Sequence, residues 1–171
     1  GQTGFTVNNL NGSYVEKLQV YLDGAVLKFK ATILADWNSF VRAGAGVNQT
    51  GLDNDYNLYA VVTAEGVITG ANSFTATVAG LNLYADKDQG TSLLLSSISD
   101  ATLGFSVPVN DTLLGSSSLL LDGSGTTSAS AGTDGFAVTF GQFALTAAGE
   151  GFFIAPRPFY VNVYSDGDIN D

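Results

Sequence analysis

The sequence predicts an all-β protein, an antiparallel two-sheet β-sandwich that is jelly-roll-like and has roughly ten strands. Apolar and polar residues alternate with a period of two in several segments, which is the spacing of the two faces of a β-strand. Glycine, asparagine, aspartate and proline bound these segments. Charged residues make up only 13% of the 171 residues, whereas helical bundles need many charges on their solvated faces.

The first hairpin is the clearest element of this pattern. Residues 14–22 and 25–33 alternate as two strands, and Asp23-Gly24 between them is a two-residue hairpin turn. In the first strand Leu18, Val20 and Leu22 share one face, which we expect to be half-buried. The inward residues of the second strand are Ala25, Leu27, Phe29, Ala31 and Ile33, with Lys28 and Lys30 on the other face.

Further strands are predicted along the rest of the chain, each bounded by turn-forming residues. Residues 41–55 are rich in glycine, asparagine and aspartate and predict a long surface loop. Residues 116–132 are rich in serine and threonine, and we expect a protruding hairpin or loop there. No helix is predicted. The remaining strands are expected at 56–63, 73–84, 93–99, 101–109, 116–121, 136–145, 151–154 and 159–165.

Nothing divides the chain, so residues 1–171 are predicted to form a single β-sandwich domain. Within it, residues 1–9 are a candidate assembly strand, because a short stretch with Phe5 and Val7 on one face precedes the first long strand. Such a stretch can add to the sheet edge of a neighbouring molecule. The alternative is an ordinary first strand in its own sheet.

The composition excludes catalysis and metal binding by histidine or cysteine. The chain contains no histidine and no cysteine, so a Ser-His-Asp triad and any thiolate or imidazole metal site are ruled out. A pair of carboxylates of the glycosidase type stays open in principle, with Glu16, Glu65 and Glu150 as candidates. Nothing in the sequence supports such a pair, and we expect that the protein is not an enzyme.

The charge and the apolar pattern restrict the partners. A net charge of −10 with no basic cluster argues against nucleic acid, since binding phosphates requires lysine and arginine. No apolar run approaches the about 18 residues that span a bilayer. The negative charge instead favours divalent cations or cationic polymers, as a diffuse tendency.

Three aspartate-rich loops are candidate calcium sites, because oxygen ligands at alternate positions of a tight turn can converge on one cation. The strongest candidate contains Asp86 and Asp88; the others contain Asp53 and Asp55, and Asp166 and Asp168. None completes the EF-hand pattern. The alternative is that these side chains hold turns by bonding to their own backbone.

Trp37 and Tyr56 are candidates for stacking on a sugar, because aromatic rings near polar loops form platforms for carbohydrates. The alternative is that both rings belong to the core, since large β-proteins bury many aromatic residues. The triplet Asn110-Asp111-Thr112 matches the acceptor for N-glycosylation, but it also has the composition of a turn.

Four phrases carry a resemblance to a known family: residues 11–16 (NGSYVE), 56–60 (YNLYA), 83–88 (LYADKD) and 145–160, which include GFFIAPRPFY. In this order and spacing, over most of the chain, they resemble flocculation-associated PEP-CTERM proteins of Gram-negative bacteria that make exopolysaccharide. The resemblance implies an exported protein with an N-terminal signal and a C-terminal sorting segment, both outside residues 1–171. It implies no catalytic residues.

These observations together predict a protein of the bacterial cell surface or extracellular matrix. We expect a structural or adhesive role, with strand exchange through Phe5 and Val7 into fibres as one specific form of it. The alternative is a non-catalytic module that binds exopolysaccharide, assisted by calcium at Asp86 and Asp88. The location and the matrix role come from the resemblance, whereas the polar, weakly charged surface comes from the composition.

Overall fold

The computed structural model describes residues 4–126 and 135–154 and the backbone of residues 161–166. Within these residues the fold is mostly antiparallel β-sheet, which confirms the all-β prediction. The helices are a 3-10 turn at Leu95–Ser97 and one α-helix, α1 (Ala147–Phe152). The strands are β1 (Asn9–Asp23), β2 (Val26–Arg42), β3 (Ala45–Gly46), β4 (Asn57–Gly70), β5 (Ser73–Asp86), β6 (Thr112–Ser117), β7 (Leu119–Thr126), β8 (Gly135–Gly141), β9 (Ala144–Leu145) and β10 (Val161–Asp166).

Hydrogen bonds join these strands into one sheet in the order β1-β2-β4-β5-β7-β8-β10, with β3 beside β2 and β6 between β5 and β9. The division into two sheets is therefore not confirmed. Strand β5 has two partners on one edge, since Ser73 to Thr75 pair with β7 and Leu81 to Ala85 pair with β6. The sheet curls. The rings of Tyr14 in β1 and Phe136 in β8 show this, since they meet edge to face at 5.8 Å although the two strands are far apart in the sheet order.

The main core lies on the inner face of the curled sheet. Strands β2, β4 and β5 alternate there between buried and more exposed residues, as the pleat of a strand requires. Register places small residues opposite each other, such as Ala31 and Ala64, and leaves room for larger neighbours. The larger members of this core are Phe29, Ile33, Phe40, Leu58, Val62, Leu81, Leu83, Leu114, Val138, Phe140 and Phe143.

Residues 93–109 were expected to form two strands and instead form a loop over the outer face of the sheet. They contain the 3-10 turn and a single isolated bridge between Ile98 and Phe105. Ile98 is fully buried, and the Thr32 hydroxyl donates a hydrogen bond to the carbonyl oxygen of Leu103 at 2.7 Å. The apolar residues of this segment therefore cover the sheet and do not extend it.

Two other boundaries differ from the prediction. Residues 151–154 were expected to be a strand. Instead Thr146 starts α1 as its N-cap, its hydroxyl accepting from the backbone amide of Gly149 at 3.1 Å, and the helix includes Gly151 and Phe152. Residues 116–121 span the end of β6 and the start of β7, and residues 136–145 span β8 and β9. Gln142, at φ 50°, lies between the latter two strands. Within the described residues, no helix has the length and apolar character to cross a membrane.

The half of β1 next to the hairpin tip has an apolar row that is not covered. Leu18, Val20 and Leu22, here called the edge row, face the same side as the core, since they pair with Ala31, Phe29 and Leu27. The sequence predicted this shared face, but their side chains are 46%, 46% and 70% exposed. Strand β1 lies at one end of the sheet order: one of its edges pairs with β2, and the other pairs with no described strand. The edge row thus lacks a layer to pack against.

We predict that a buried leucine and an exposed leucine differ sharply in their contribution to stability. Leu58 is completely buried between β2 and β5, so Leu58→Ala should lower the free energy of unfolding by about 2–5 kcal/mol. The control Leu94→Ala, at a side chain that is 60% exposed, should change it by less than about 0.5 kcal/mol. Urea denaturation followed by circular dichroism measures both, and equal losses would contradict the assignment of the core.

Candidate functional site

Three carboxylates come together where β5 ends and β6 begins. Asp86 is the last residue of β5, and Asp111 immediately precedes β6. The two strands are in register through the pair Ala85–Thr112, so these aspartates are neighbours across the sheet. Asp88 completes the group, and one carboxylate oxygen from each aspartate lies within 4.8 Å of the others.

Asp86 is completely buried and is held by the loop that follows it. Its Oδ1 accepts a hydrogen bond from the amide of Gln89 at 2.8 Å, and its Oδ2 accepts one from the amide of Thr91 at 2.9 Å. Burial raises the pKa of Asp86, but the hydrogen bonds, led by the one from the Thr91 backbone, outweigh burial and lower this pKa below its ordinary value. The buried carboxyl group therefore stays ionised.

Asp111 is bound to the outer face of the sheet. Its Oδ2 accepts hydrogen bonds from the hydroxyl of Tyr59 at 2.5 Å and from the hydroxyl of Thr91 at 2.7 Å. Its Oδ1 is buried and has no hydrogen-bond partner among the described residues. Burial, followed by the bond to Asp111, raises the pKa of Tyr59 far above its ordinary value. Tyr59 therefore remains a neutral donor to the carboxylate.

Within the described part of the chain, no lysine or arginine forms an ion pair with this group. The ion pairs there are Lys17–Asp100, Lys28–Asp23 and Lys30–Glu65. The Oδ2 of Asp88 accepts a hydrogen bond from the side-chain amide Nδ2 of Asn110 at 2.6 Å. The hydrogen bonds of the three aspartates hold both ends of the loop between β5 and β6. The three clustered carboxylate oxygens, with the unpaired Oδ1 of Asp111, are also the kind of oxygen ligands that bind calcium.

The sequence identified only part of this group. Asp86 and Asp88 were predicted from their alternate spacing, and both belong to it. Asp111 was interpreted as part of a turn or a glycosylation acceptor, since only the β5–β6 register brings it close. Asp53 and Asp55 lie in the loop before β4 and are not members of the group. The third predicted loop, at residues 166–168, lies outside the residues whose side chains are described.

A cavity of about 370 Å³ lies beside the carboxylates, between the loop before β4, the β5 and β6 ends and α1. The rings of Tyr56 and Phe152 form part of its wall and meet edge to face at 5.5 Å, nearly perpendicular at 87°. The Tyr56 hydroxyl donates to the carbonyl oxygen of Thr50 at 3.2 Å, which fixes its ring. The lining residues are Asp55, Tyr56, Ala85, Lys87, Thr112, Leu114, Ala148, Gly151 and Phe152.

The two aromatic residues proposed for sugar stacking differ in their surroundings. Tyr56 lines the cavity, but Trp37 does not. Trp37 is on the inner face of β2 opposite Leu58, where it packs partly buried against the core. Its indole Nε1 is buried without a hydrogen-bond partner among the described residues. Phe152, which the sequence interpretation did not select, is the residue that joins Tyr56.

Phe5 and Val7, the predicted assembly residues, pack against the core of their own chain. The ring of Phe5 meets that of Phe40 edge to face at 5.0 Å. The amide of Asn8 donates to the carbonyl oxygen of Val41 at 3.0 Å. Residues 4–7 form no strand. The segment is thus held mainly by side chains in the described conformation.

The three glutamates considered for catalysis lie on different elements. Glu16 faces the core side of β1 opposite Ile33, and Glu65 of β4 is opposite Lys30. Ile33 and Lys30 are three residues apart on β2, so Glu16 and Glu65 are on opposite faces of the sheet. Glu150 lies in α1. Burial raises the pKa of Glu16 above its ordinary value.

Comparison with known proteins found no matching family model, no matching curated protein and no matching solved structure. The resemblance to flocculation-associated PEP-CTERM proteins therefore stays a prediction. The carboxylate group, the cavity and the edge row are interpreted from their own chemistry.

We predict that Glu16→Gln stabilises the protein at neutral pH. Because the pKa of Glu16 is raised in the folded state, folding becomes less favourable as the pH rises from about 4 through the folded pKa. Gln cannot ionise, so the melting temperature of the variant should exceed that of the parent at pH 7 and match it near pH 4. Glu65→Gln, which removes the exposed ion pair to Lys30, is the control and should give no gain at pH 7. If the melting temperatures of Glu16→Gln and the parent change with pH in the same way, the Glu16 carboxyl group is solvated.

We predict that calcium stabilises the folded chain through the carboxylate group. Any ligand that binds only the folded state raises the melting temperature, and the rise grows with ligand concentration. The parent should show such a rise with calcium over chelator, while Asp88→Asn should lose most of it. Asp53→Asn, in the loop outside the group, should behave like the parent. A parent melting temperature that calcium leaves unchanged would assign the three aspartates to loop anchoring alone.

Proposed function

We propose that the chain is an exported structural or adhesive subunit of a bacterial cell surface or extracellular matrix, and that it self-associates through strand β1. The observation that carries this proposal is the exposed edge row, Leu18, Val20 and Leu22, on a strand whose outer edge pairs with no described strand. Exposed apolar patches of this kind on a folded protein mark interaction surfaces.

Strand β1 has the features of an acceptor for another strand. It is 15 residues long, and its free edge presents backbone donors and acceptors that a further strand can satisfy. An added strand would also place side chains beside the edge row and remove part of its apolar surface from water. Leu27, which is also exposed and pairs with Leu22, extends the apolar surface to the tip of the hairpin. Backbone pairing and apolar burial thus favour the same contact.

The N-terminal segment is suited to be the donor. Phe5 and Val7 alternate on one face, and no Asp, Glu, Lys or Arg precedes Glu16 in the sequence. In the described conformation the segment covers Phe40 of its own chain. Strand exchange would replace this intramolecular contact by an intermolecular one, and a head-to-tail contact that does not close on itself produces a filament. An extracellular matrix role is consistent with such an assembly.

The resemblance to flocculation-associated PEP-CTERM proteins supports the proposed location. Members of that family are exported by Gram-negative bacteria and remain at the surface or in the matrix that binds flocs. The low proportion of charged residues, 13%, and the absence of histidine and cysteine fit a structural protein. We therefore assign no enzymatic activity to the chain in this proposal.

A second candidate function is non-catalytic binding of exopolysaccharide, assisted by calcium. The observation that favours it is the position of the aromatic cavity next to the carboxylate group: Lys87, in the cavity wall, lies between Asp86 and Asp88 in the sequence. Ligand sites are typically concave, mostly apolar and equipped with a few polar groups. The two functions are compatible, because the cavity and the tip of the β1–β2 hairpin lie at opposite ends of the sheet.

We predict that a charge within the edge row prevents assembly. Val20→Lys places an ammonium group where a second chain must pack, so fibres or oligomers of the parent should be lost in negative-stain electron microscopy and sedimentation velocity. Val78→Lys is the matched control, since Val78 of β5 is also exposed, at 60%, but lies outside the edge row. Circular dichroism should show both variants folded.

Deletion of residues 1–7 tests the donor separately. If strand exchange uses Phe5 and Val7, the truncated chain should remain folded and fail to form fibres, while added intact chain should still bind to it. Fibres that persist in the Val20→Lys variant would contradict a role for β1. If the truncated chain still forms fibres while Val20→Lys does not, β1 remains the contact and the N-terminal segment is excluded as its donor.

A further inference from the structure

The cavity between α1 and the ends of β5 and β6 is not used by the proposed assembly. It lies where β4 begins and β2 approaches its end, whereas Leu22 and Val26 lie at the hairpin tip, where β2 begins. The cavity therefore remains accessible when a neighbouring chain is bound to β1. A volume of about 370 Å³ is within the range of small-molecule sites.

We propose that this cavity binds one sugar unit of a neutral polysaccharide, an inference that rests on the second candidate function. The walls supply the first part of the recognition. Tyr56 and Phe152 stand nearly perpendicular at 87°, so one ring can lie against a face of the sugar and the other against its edge. The C–H groups of a pyranose are apolar, and their burial against aromatic rings removes apolar surface from water.

The polar groups of the cavity match a ring of hydroxyls. Asp55 offers a carboxylate that accepts, Lys87 an ammonium that donates, and Thr112 a hydroxyl that does both. Hydrogen bonds from sugar hydroxyls to a charged group are stronger than those between neutral groups. A purely apolar ligand would displace water from the exposed Asp55 and Lys87 without replacing its hydrogen bonds, which disfavours it.

The charge of the surroundings selects a neutral sugar over an acidic one. Asp55 and Lys87 both line the wall and carry opposite charges. Beyond them lie Asp86 and Asp88, on a chain whose net charge is −10, so the electrostatic potential at the cavity is negative. A uronate unit would meet like charge and is expected to bind much more weakly.

The size of the contact implies weak binding at each subunit. One sugar unit buries little area, and its binding must offset the loss of translational freedom, so a dissociation constant near the millimolar range is expected for one site. An assembly of many subunits along one polysaccharide would bind far more tightly through multivalency. A fibre subunit with one such cavity per copy can thus retain a polymer that no single copy retains.

The test uses the intact chain with neutral oligosaccharides, cellopentaose, maltopentaose and penta-N-acetylchitopentaose, and with an oligoguluronate as the acidic probe. Titration followed by NMR should show binding of at least one neutral probe and at least tenfold weaker binding of the oligoguluronate. Tyr56→Ala and Lys87→Ala should each weaken the neutral binding at least tenfold. The matched control Tyr21→Ala, on the β1–β2 hairpin, should leave it unchanged.

Further measurements separate this inference from the proposed assembly. Lys87→Ala removes an exposed side chain and should keep the parental melting temperature, so its loss of binding cannot be attributed to unfolding. It should also form fibres like the parent, while the Val20→Lys monomer should still bind the neutral probe. Binding that is absent for every neutral probe, equal for the oligoguluronate, or unaffected by both cavity variants would overturn the inference.

Discussion

The pairing of β4 with β2 on one side and β5 on the other is the constraint on which the rest of the structure depends. Leu58, Tyr59 and Val62 are almost completely buried, although Tyr59 points to the opposite face from the other two. A slip of one residue would exchange these faces and bury polar groups in the main core. Strand β5, held in place by β4, pairs in turn with β6, and that second register sets Asp86 beside Asp111 and places Ala85 in the cavity wall.

Because the first part of β4, around Leu58 and Tyr59, is buried on both faces, the protein needs a cover on each side of one sheet there. The curled sheet covers the inner face with β7 and β8, whereas the outer face depends on the loop between β5 and β6. Ile98 and Phe105 supply the apolar part of that cover, and Phe105 meets the ring of Tyr59 at 6.2 Å. Tyr59 therefore joins the cover to the carboxylate group, since its hydroxyl bonds to Asp111.

The sequence pattern predicted the features that are set by residues close together in the chain, such as the two faces of a strand. The faces of Leu18 and Phe29 follow from the period of two, and Asp86 and Asp88 follow from their spacing. Burial could not be predicted in the same way: the edge row has the pattern of a covered strand, but no described element covers it. Ile98 and Phe105 were expected in strands, because a covering loop has the same alternation. Asp111 and Phe152 reach their partners only through the folded sheet and α1.

The length of the β1–β2 hairpin has a mechanical consequence. The two strands are paired from Asn9 with Val41 to Asp23 with Val26, interrupted by one bulge near Gly12. A pull along the strand direction loads such hydrogen bonds in parallel, so many of them must break together, whereas a pull across the strands would open them one at a time. If neighbouring subunits attach along β1, tension in the assembly acts in the first direction. Resistance to stretching would then come from strand length more than from the stability of the isolated subunit.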